Sequence, residues 1–230
     1  MRINKYMSLT GVCSRREADR MIAAGRITIN GNVCAEGGEV IEGDEVRFDG
    51  KLLSLSTAKP VYLMLNKPLG ITCTSARQVE GNIIDYVNYP SRIFAVGRLD
   101  KFSEGLILLT NDGAIVNSMM RSENGHEKEY RVVVDHAVTE AFLQEMAGGV
   151  EILGVTTEPC RLYRVAEREF GVILTQGLNL QIRRMCKALG YRVLSLERIR
   201  IMNLTLDGLE RGEWREMDEA ELQQLFFLLK

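Results

Sequence analysis

The sequence predicts an α+β fold with a small N-terminal part and a larger C-terminal part. Short apolar stretches recur along the chain and end at Gly, Asn or Asp, which is typical of strands closed by turns. Stretches with apolar residues at helical spacing are fewer and do not alternate strictly with the strands. We therefore expect a long mixed, mainly antiparallel sheet flanked by helices, rather than a sheet built from repeated strand–helix–strand units.

Composition limits the class of protein. Hydrophobic residues make up 46% of the 230 residues and charged residues 26%, so the chain can bury a core. No apolar run approaches the roughly 20 residues that cross a bilayer, and the first residues lack the apolar core of a secretory signal. The 5 cysteines are odd in number and never form a CxxC pair, which predicts reduced thiols and no zinc site. We expect a cytoplasmic monomer without a membrane segment, metal or cofactor.

The formal net charge of −2 conceals a segregation of charge along the chain. Residues 1–30 contain six basic and two acidic residues, and residues 176–200 contain six basic residues and one acidic residue. A local positive field matters more to a polyanion than the total charge does. The two basic regions therefore indicate a nucleic-acid partner, unless these charges only solvate the surface.

The first elements are a pair of short helices followed by a small sheet. Ser14 and Glu17 have the spacing of a capping box, which predicts a helix start, and Gly25 suits the end of that helix. A strand follows at Ile27–Ile29, and the pair Asn30-Gly31 is a strong signal for a tight hairpin. This pattern predicts a compact N-terminal domain over residues 1–50.

The stretch SRREADRMIAAGRITINGNV, followed by VIEGDEV, resembles the S4 domain, an RNA-binding module. The resemblance implies that the basic second helix faces RNA, through Arg15, Arg16 and Arg20. Clustered arginines bind phosphates and release counterions, which gives affinity without reading sequence. The alternative is that these arginines only keep the helix soluble.

A small polar stretch, KLLSLSTAKP at residues 51–60, predicts a linker to a second domain over residues 61–230. Within that domain, apolar runs and turn signals predict strands and two clear helices. The predicted strands are Val61–Leu65, Ile93–Val96, Leu106–Thr110, Tyr130–Val134 and Gly171–Thr175, and the predicted helices are Thr139–Ala147 and Gln181–Leu189.

One carboxylate in the second domain is placed unusually. Asp100 follows an apolar residue and stands shortly before the apolar run Leu106–Leu109. A buried carboxylate must be neutralised or paired with a cation and hydrogen bonds. Gly97 and Gly105 allow tight turns on either side of it. Asp100 is either a turn-capping residue or a functional carboxylate on a loop between two strands, and we predict the second.

Four motifs, in this order along the chain, resemble those of RNA pseudouridine synthases. They are NKPLG at Asn66–Gly70, GRLD…SEGL at Gly97–Leu106, EKEY at Glu127–Tyr130, and GLNLQIRRM at Gly177–Met185. Combined with an N-terminal S4 domain, they are similar to the branch of this family that modifies ribosomal RNA, and most similar to its large-subunit members. The resemblance implies isomerisation of uridine to pseudouridine, with Asp100 as the catalytic carboxylate. Because the reaction neither adds nor removes atoms, no cofactor is required by its stoichiometry.

Two arginines near the predicted start of the last clear helix imply a nearby anion, because the positive end of the helix dipole disfavours cations there. The family resemblance makes Asp100 the partner of Arg183, whereas a phosphate suits Arg184. An ionised carboxylate in a desolvated pocket needs such a counter-charge. The alternative is that both arginines are simply solvated.

The remaining site residues also follow from the resemblance. Tyr130 would stack on a flipped uracil, since chemistry on a base in folded RNA requires its extrusion. Arg98 would fill the gap left in the base stack, and Lys67 would contact RNA or support the pocket. Residue types alone do not decide whether Asp100 attacks the sugar as a nucleophile, removes a sugar proton as a base, or attacks the base ring.

Two other functions remain open from the sequence. A non-catalytic S4-domain protein that binds RNA or assists ribosome assembly would keep the binding residues without the chemistry. A hydrolase of glycosidic bonds would need a second carboxylate across the bond, for which Glu104 is an uncertain candidate.

Overall fold

The computed structural model describes residues 1–55, 57–76, 78–120 and 125–230. The chain divides into two compact units, Met1–Lys59 and Pro60–Lys230. The sequence-based bounds of 1–50, 51–60 and 61–230 place a linker around this division and remain a prediction. Among the described residues, no helix is both long enough and apolar enough to cross a membrane.

The first unit pairs two helices with a four-stranded antiparallel sheet. Ser14 Oγ accepts a hydrogen bond from the Glu17 amide at 3.2 Å, and the Glu17 carboxylate accepts one from the Ser14 amide at 2.7 Å, so the predicted capping box is confirmed. Asn30 and Gly31 both have positive φ, as a tight hairpin requires. The elements are α1 (Ile3–Leu9), α2 (Arg15–Ala23), β1 (Ile27–Ile29), β2 (Asn32–Val33), β3 (Val46–Phe48) and β4 (Lys51–Leu52), with strand order β2-β1-β3-β4.

Two residues of the expected linker belong to this sheet. Lys51 and Leu52 form β4 and pair with Arg47 and Phe48 of β3. The turn Asp49-Gly50, with positive φ at both residues, closes this second hairpin. The composition of residues 51–60 did not predict this short edge strand, because such strands need few apolar residues.

The second unit contains the larger sheet. Its strands are β5 (Tyr62–Lys67), β6 (Phe94–Val96), β7 (Glu104–Thr110), β8 (Lys128–Val134), β9 (Glu151–Ile152), β10 (Val155–Thr156), β11 (Arg161–Ala166), β12 (Glu169–Leu174), β13 (Val193–Ile201), β14 (Leu204–Thr205) and β15 (Trp214–Glu216). Its helices are α3 (Ile83–Val87), α4 (Gly113–Met120), α5 (Glu140–Gly148), α6 (Gln181–Ala188) and α7 (Glu219–Leu228).

Nine of these strands form one sheet with the order β11-β12-β8-β13-β7-β5-β15, to which β6 and β14 add at β7 and β13. Neighbouring strands are antiparallel except β13 and β7, which run parallel. The predicted mixed, mainly antiparallel sheet flanked by helices is confirmed. The single parallel pairing joins the strand that follows the Asp100 loop to the strand that follows α6.

The central strand β7 is buried along its whole length. Leu106 and Leu108 belong to one apolar cluster, and Ile107 and Leu109 belong to another on the opposite face. Alternate residues of a strand point to opposite faces, so burial of both faces explains the unbroken apolar run. Helices α4 and α7 contribute to the first cluster, and α3 contributes to the second.

The region after β7 differs from what its sequence pattern predicts. The residues Asn111-Asp112-Gly113 are typical of a turn, but Gly113 begins α4 instead. Asp112 Oδ1 accepts a hydrogen bond from the Ala114 amide at 2.8 Å and so satisfies a free donor at the helix start. The short hairpin β9–β10 and the strands β11, β14 and β15 were not expected, since β11 is largely exposed and the others have only two or three residues.

Candidate active site

A cleft of about 600 Å³ opens in the second unit beside the start of β7. Its wall includes the loop after β6, the start of β8, the loop from β12 to α6, and the part of β13 that pairs with β7. The polar side chains at its wall include Arg98, Asp100, Lys128, Tyr130, Gln181 and Arg198. A cleft of this size is in the range that binds small organic ligands.

Hydrogen bonds hold the Asp100 loop in place. The Ser103 amide donates to the Asp100 carbonyl at 3.0 Å, and the Gly70 amide donates to the Lys101 carbonyl at 2.8 Å. The Leu99 amide donates to Cys73 Sγ at 3.4 Å. Asp100 is half-buried and lines the cleft, so its carboxylate does not lie on an open surface.

Gly105 permits the close packing beside this loop. Its φ is +98°, and a Cβ there would overlap the backbone of Arg198 on β13. The two residues are paired in the parallel register of β7 and β13. The glycine in the SEGL motif is therefore required by the approach of two strands, one of which supplies a cleft residue.

Tyr130 lies directly opposite Arg198 in the register of β8 and β13. Directly opposed residues share a face of the sheet, and Lys128, two residues before Tyr130, shares it too. All three line the cleft. Tyr130 is half-buried against two apolar clusters, whereas Lys128 and Arg198 are only 9% and 4% exposed.

The sequence did not indicate Lys128 or Arg198 as site residues. Lys128 stands among other charged residues in EKEY, and Arg198 is one of two arginines in ERIRI. Strand alternation could have found Lys128, because it places that residue on the same face as Tyr130. It could not have separated Arg198 from Arg200, because the register shifts between these two residues.

Lys67 is fully buried and supports the Asp100 loop. Its Nζ donates to the carbonyls of Pro68 at 2.9 Å and Ser103 at 2.8 Å. Burial lowers the pKa of Lys67, and the charges of nearby groups, including Asp100, partly offset that effect. Of the two expectations for Lys67, direct RNA contact is wrong because the side chain is not accessible, and support of the pocket agrees with its bonds.

The side chain of Arg183 binds the backbone of the same loop. Its Nη2 donates to the Phe102 carbonyl at 2.5 Å, and its Nη1 donates to the Val193 carbonyl at 3.5 Å. Among the ion pairs of the described residues, none joins Arg183 to Asp100. The expected direct pair is replaced by an anchor two residues after Asp100, because the carbonyl lies within reach of the guanidinium.

The other predicted cations lie at the surface. Arg98 is exposed and lines the cleft. Arg184 donates to the backbone and side-chain oxygens of Asn179 at 3.0 and 3.2 Å, within the loop before α6. In the first unit, Arg15, Arg16 and Arg20 are all exposed on α2, whose buried residues are Ala18 and Ile22.

Glu104 is buried but does not line the cleft. Its Oε1 lies 3.2 Å from Arg211 Nη2, and its Oε2 has no hydrogen-bond partner among the described residues. Its side chain points to the opposite face of β7 from Gly105. Glu104 is therefore not placed as the second carboxylate that a glycosidic hydrolase would use across the bond.

The fold and the motifs define an RNA-modifying enzyme with an appended RNA-binding domain. Residues 61–188 match the model of the RNA pseudouridylate synthase family, and residues 1–47 match the S4 domain. The chain belongs to the RNA pseudouridylate synthase family, as the motifs predicted.

Individual relatives are similar over the whole chain. It is 49% identical over 230 residues to the dual-specificity RNA pseudouridine synthase RluF of Salmonella typhi and 48% identical over 231 residues to RluF of Escherichia coli (strain K12). In both cases all of this chain aligns with 80% of the relative. It is also 32% identical over 234 residues to the ribosomal large subunit pseudouridine synthase B of Bacillus subtilis, with 97% of this chain and 95% of the relative covered.

A crystal structure of a pseudouridylate synthase superimposes with a TM-score of 0.72. The two chains are 29% identical, and the alignment covers 98% of this chain and 99% of the other.

Proposed function

We propose that this enzyme converts a specific uridine of large-subunit (23S) ribosomal RNA to pseudouridine, with Asp100 as the catalytic carboxylate. The observation that carries the proposal is the position of Asp100: half-buried, at the wall of a cleft of about 600 Å³ that also contains Tyr130. Similarity to the ribosomal large subunit pseudouridine synthase B of Bacillus subtilis supports ribosomal RNA as the substrate.

The arrangement suits a nucleotide that has been turned out of its helix. A base inside folded RNA must be extruded before its glycosidic bond can be reached. The aromatic ring of Tyr130 offers a stacking surface for a pyrimidine, and exposed Arg98 lies at the same cleft, where it would fill the place that the base leaves. We propose these roles for the two residues.

The reaction breaks the bond between N1 of uracil and C1′ of ribose and makes a bond between C5 and C1′. The proton of C5 is lost and N1 gains one, so the product is an isomer of the substrate. Asp100 would either attack C1′ or remove the proton of C2′, and either step needs an ionised carboxylate close to the sugar. The proposal needs no cofactor or metal, and we propose that the enzyme works as a cytoplasmic monomer.

Arg183 and Lys67 would act as positioning residues for Asp100. Both donate hydrogen bonds to backbone carbonyls of the loop, at Phe102 and Ser103. A loop fixed on both sides holds a reacting group within the narrow range of geometry that catalysis requires. Arg184 would bind a phosphate after releasing Asn179.

The first unit would supply affinity for RNA. Arg15, Arg16 and Arg20 lie exposed on one helix, and such clusters bind phosphates through counterion release. This role does not read sequence, so choice of the target uridine falls to RNA shape and to the cleft.

The test is to incubate the full chain with unmodified transcripts of 23S ribosomal RNA and of transfer RNA and to map pseudouridine by carbodiimide-blocked primer extension. Asp100→Asn keeps the side-chain shape but removes the charge, and Asp207→Asn is the matched control, since Asp207 lies exposed in a distant turn. We expect a stop at a defined 23S uridine with the wild type and Asp207→Asn and none with Asp100→Asn.

Other outcomes would contradict the proposal. Retained RNA binding without any pseudouridine from the wild type would favour a non-catalytic assembly factor. Release of free uracil would favour a hydrolase. Modification of transfer RNA alone would refute the ribosomal substrate but not the reaction.

A further inference from the structure

We propose that Arg198 is a further catalytic residue, which donates a hydrogen bond to a carbonyl oxygen of the flipped uracil and stabilises the negative charge that the base gains as its bond to ribose breaks. This inference rests on the proposed function. It depends on a buried guanidinium in the wall of the cleft that is only partly hydrogen-bonded.

The hydrogen bonds of Arg198 are incomplete. Nε donates to the Leu106 carbonyl at 2.7 Å, whereas Nη2 is enclosed and has no partner among the described residues. Ion pairs of Arg198 are also absent from the part of the chain that the structure describes. Buried donors are nearly always paired in folded proteins, and a charged donor is especially costly to leave unpaired. An acceptor that arrives with the substrate would complete the hydrogen bonding of this guanidinium.

A second buried cation stands next to it. Lys128 Nζ donates to the carbonyls of His126 at 3.2 Å and Thr175 at 3.3 Å, which uses two of its three protons. Burial lowers the pKa of Lys128, and the positive charge of Arg198 lowers it further, so the two groups lie within electrostatic reach of each other. Together they place two positive charges in the cleft wall, and among the described residues neither is in an ion pair, so this part of the wall favours an anion.

The position favours the base over a phosphate as the anion. Arg198 lies opposite Tyr130 on the same face of the sheet, so a uracil stacked on Tyr130 would have its edge near the guanidinium. Both cations are deep in the wall, at 9% exposure or less, whereas the sugar–phosphate chain must leave the cleft at its rim. Exposed Arg98 is better placed to contact the sugar–phosphate chain of the RNA.

The reaction develops negative charge on the uracil oxygens, which such a donor can stabilise. When the N1–C1′ bond breaks, its electron pair stays on the uracil ring and is shared with O2 and O4. Attack of Asp100 on the ring at C6 would also place negative charge on O4. A fixed donor aimed at the developing charge stabilises the transition state in a desolvated site and does not need to reorganise.

The test uses the mapped 23S uridine in a synthetic RNA stem-loop, with the target as uridine, 2-thiouridine or 4-thiouridine. Single-turnover rate constants at saturating enzyme are measured for the wild type and Arg198→Met. Arg200→Met is the matched control: it removes a guanidinium from the same strand, but Arg200 pairs with Glu127 and Glu129 away from the cleft face.

We expect Arg198→Met to lower the rate constant about 100-fold with little change in RNA binding, which is typical for loss of one oxyanion donor. Arg200→Met should stay within about twofold of the wild type. One of the two thio substitutions should slow the wild type about tenfold, because sulfur is a weaker acceptor, and should have no further effect in Arg198→Met.

Three results would overturn the inference while leaving the proposed function intact. They are normal turnover by Arg198→Met, equal thio effects in wild type and variant, and weakened RNA binding with normal turnover, which would indicate a phosphate contact. If Arg198→Met does not fold, the cycle is run with Arg198→Lys, which should show a reduced thio effect. Absence of pseudouridine from the wild type would instead refute the proposed function itself.

Discussion

The two faces of strands β8 and β13 both contain basic side chains, but within the described part of the chain these are in ion pairs on one face and not on the other. On the face away from the cleft, Arg200 pairs with Glu127 at 3.1 Å and with Glu129 at 2.7 Å, and Arg131 pairs with Glu169 at 2.7 Å. On the cleft face, the hydrogen bonds of Lys128 and Arg198 to described residues go to backbone carbonyls, and both side chains are more deeply buried. Paired charges on one face satisfy each other, whereas the unpaired charges on the other face are suited to a ligand.

This contrast teaches how to separate structural from functional charges in this protein. Removing a charge from the outer face should cost stability and spare turnover. Removing one from the cleft should cost turnover and spare stability. For the variants of the second unit both quantities are needed, because a variant that lost both would not support the distinction.

The largest effect is expected at Asp100. Asp100→Asn should lower the rate constant for pseudouridine formation by about 10³-fold or more, since an amide can neither attack the sugar nor accept its proton at a useful rate. The midpoint of thermal unfolding should change by less than about 2 °C, because the described structure gives this side chain no ion pair. A rate within tenfold of the wild type would show that another group does the chemistry.

A smaller loss of turnover is expected at Lys128. Lys128→Met should lower the rate constant about tenfold while leaving stability equal or slightly higher, because it removes a buried cation that has no carboxylate partner among the described residues. Since burial lowers the pKa of Lys128, the folded chain holds this proton less tightly than the unfolded chain. The stability of the wild type relative to the variant should therefore rise with pH between that lowered pKa and the usual lysine value.

Urea unfolding at several pH values and single-turnover kinetics measure the two effects. A large loss of stability in Lys128→Met, with turnover reduced only in proportion to the unfolded fraction, would assign Lys128 to the structure rather than the site.

On the outer face, Glu129→Gln should cost about 1 kcal/mol of stability at pH 7 and leave turnover unchanged. Burial alone would raise the pKa of Glu129, but hydrogen bonds from Tyr163 and Arg200 outweigh it and hold that pKa below its usual value. The contribution is present above the unfolded pKa of about 4.3 and is lost as the pH falls through the lower folded pKa. Urea unfolding should show the wild-type advantage shrinking below pH 4. An advantage that does not change with pH would rule out this ion pair as its source.

The smallest effects on turnover are expected in the first unit. Single Ala substitutions of Arg15, Arg16 or Arg20 should weaken RNA binding at moderate salt and leave the saturated rate constant unchanged. Each should reduce the slope of log affinity against log salt by about 1, because one phosphate contact is lost. Filter binding between low and moderate salt measures this slope. A slope equal to that of the wild type in all three variants would remove α2 from the RNA interface.

Local signals in the sequence predicted much of the fold correctly. The capping box at Ser14 and the hairpin at Asn30-Gly31 depend on residues only a few positions apart. A short stretch of sequence is therefore enough to predict each of them. The family motifs likewise predicted the Asp100 loop and Tyr130 together, and the structure brings both to one cleft.

Long-range partners were not predictable in the same way. Arg183 was expected to pair with Asp100, but its guanidinium reaches the Phe102 carbonyl, 81 residues away along the chain. Lys67 was expected to contact RNA or to support the pocket, and its buried side chain donates to the Ser103 carbonyl of the loop, which agrees with support. In each case the outcome depends on which backbone oxygens the fold brings within reach.

The sequence by itself determined the family, the two basic regions and the order of most elements, because periodicity, turn residues and motifs are properties of neighbouring positions. Only the tertiary structure decided which charges are buried and which are paired. Arg198 and Arg200 stand two positions apart in the same strand, yet one enters the cleft wall and the other joins an ion-pair network. The register of β13 with β8 and β7 makes that choice, and register is set by packing between segments that are distant along the chain.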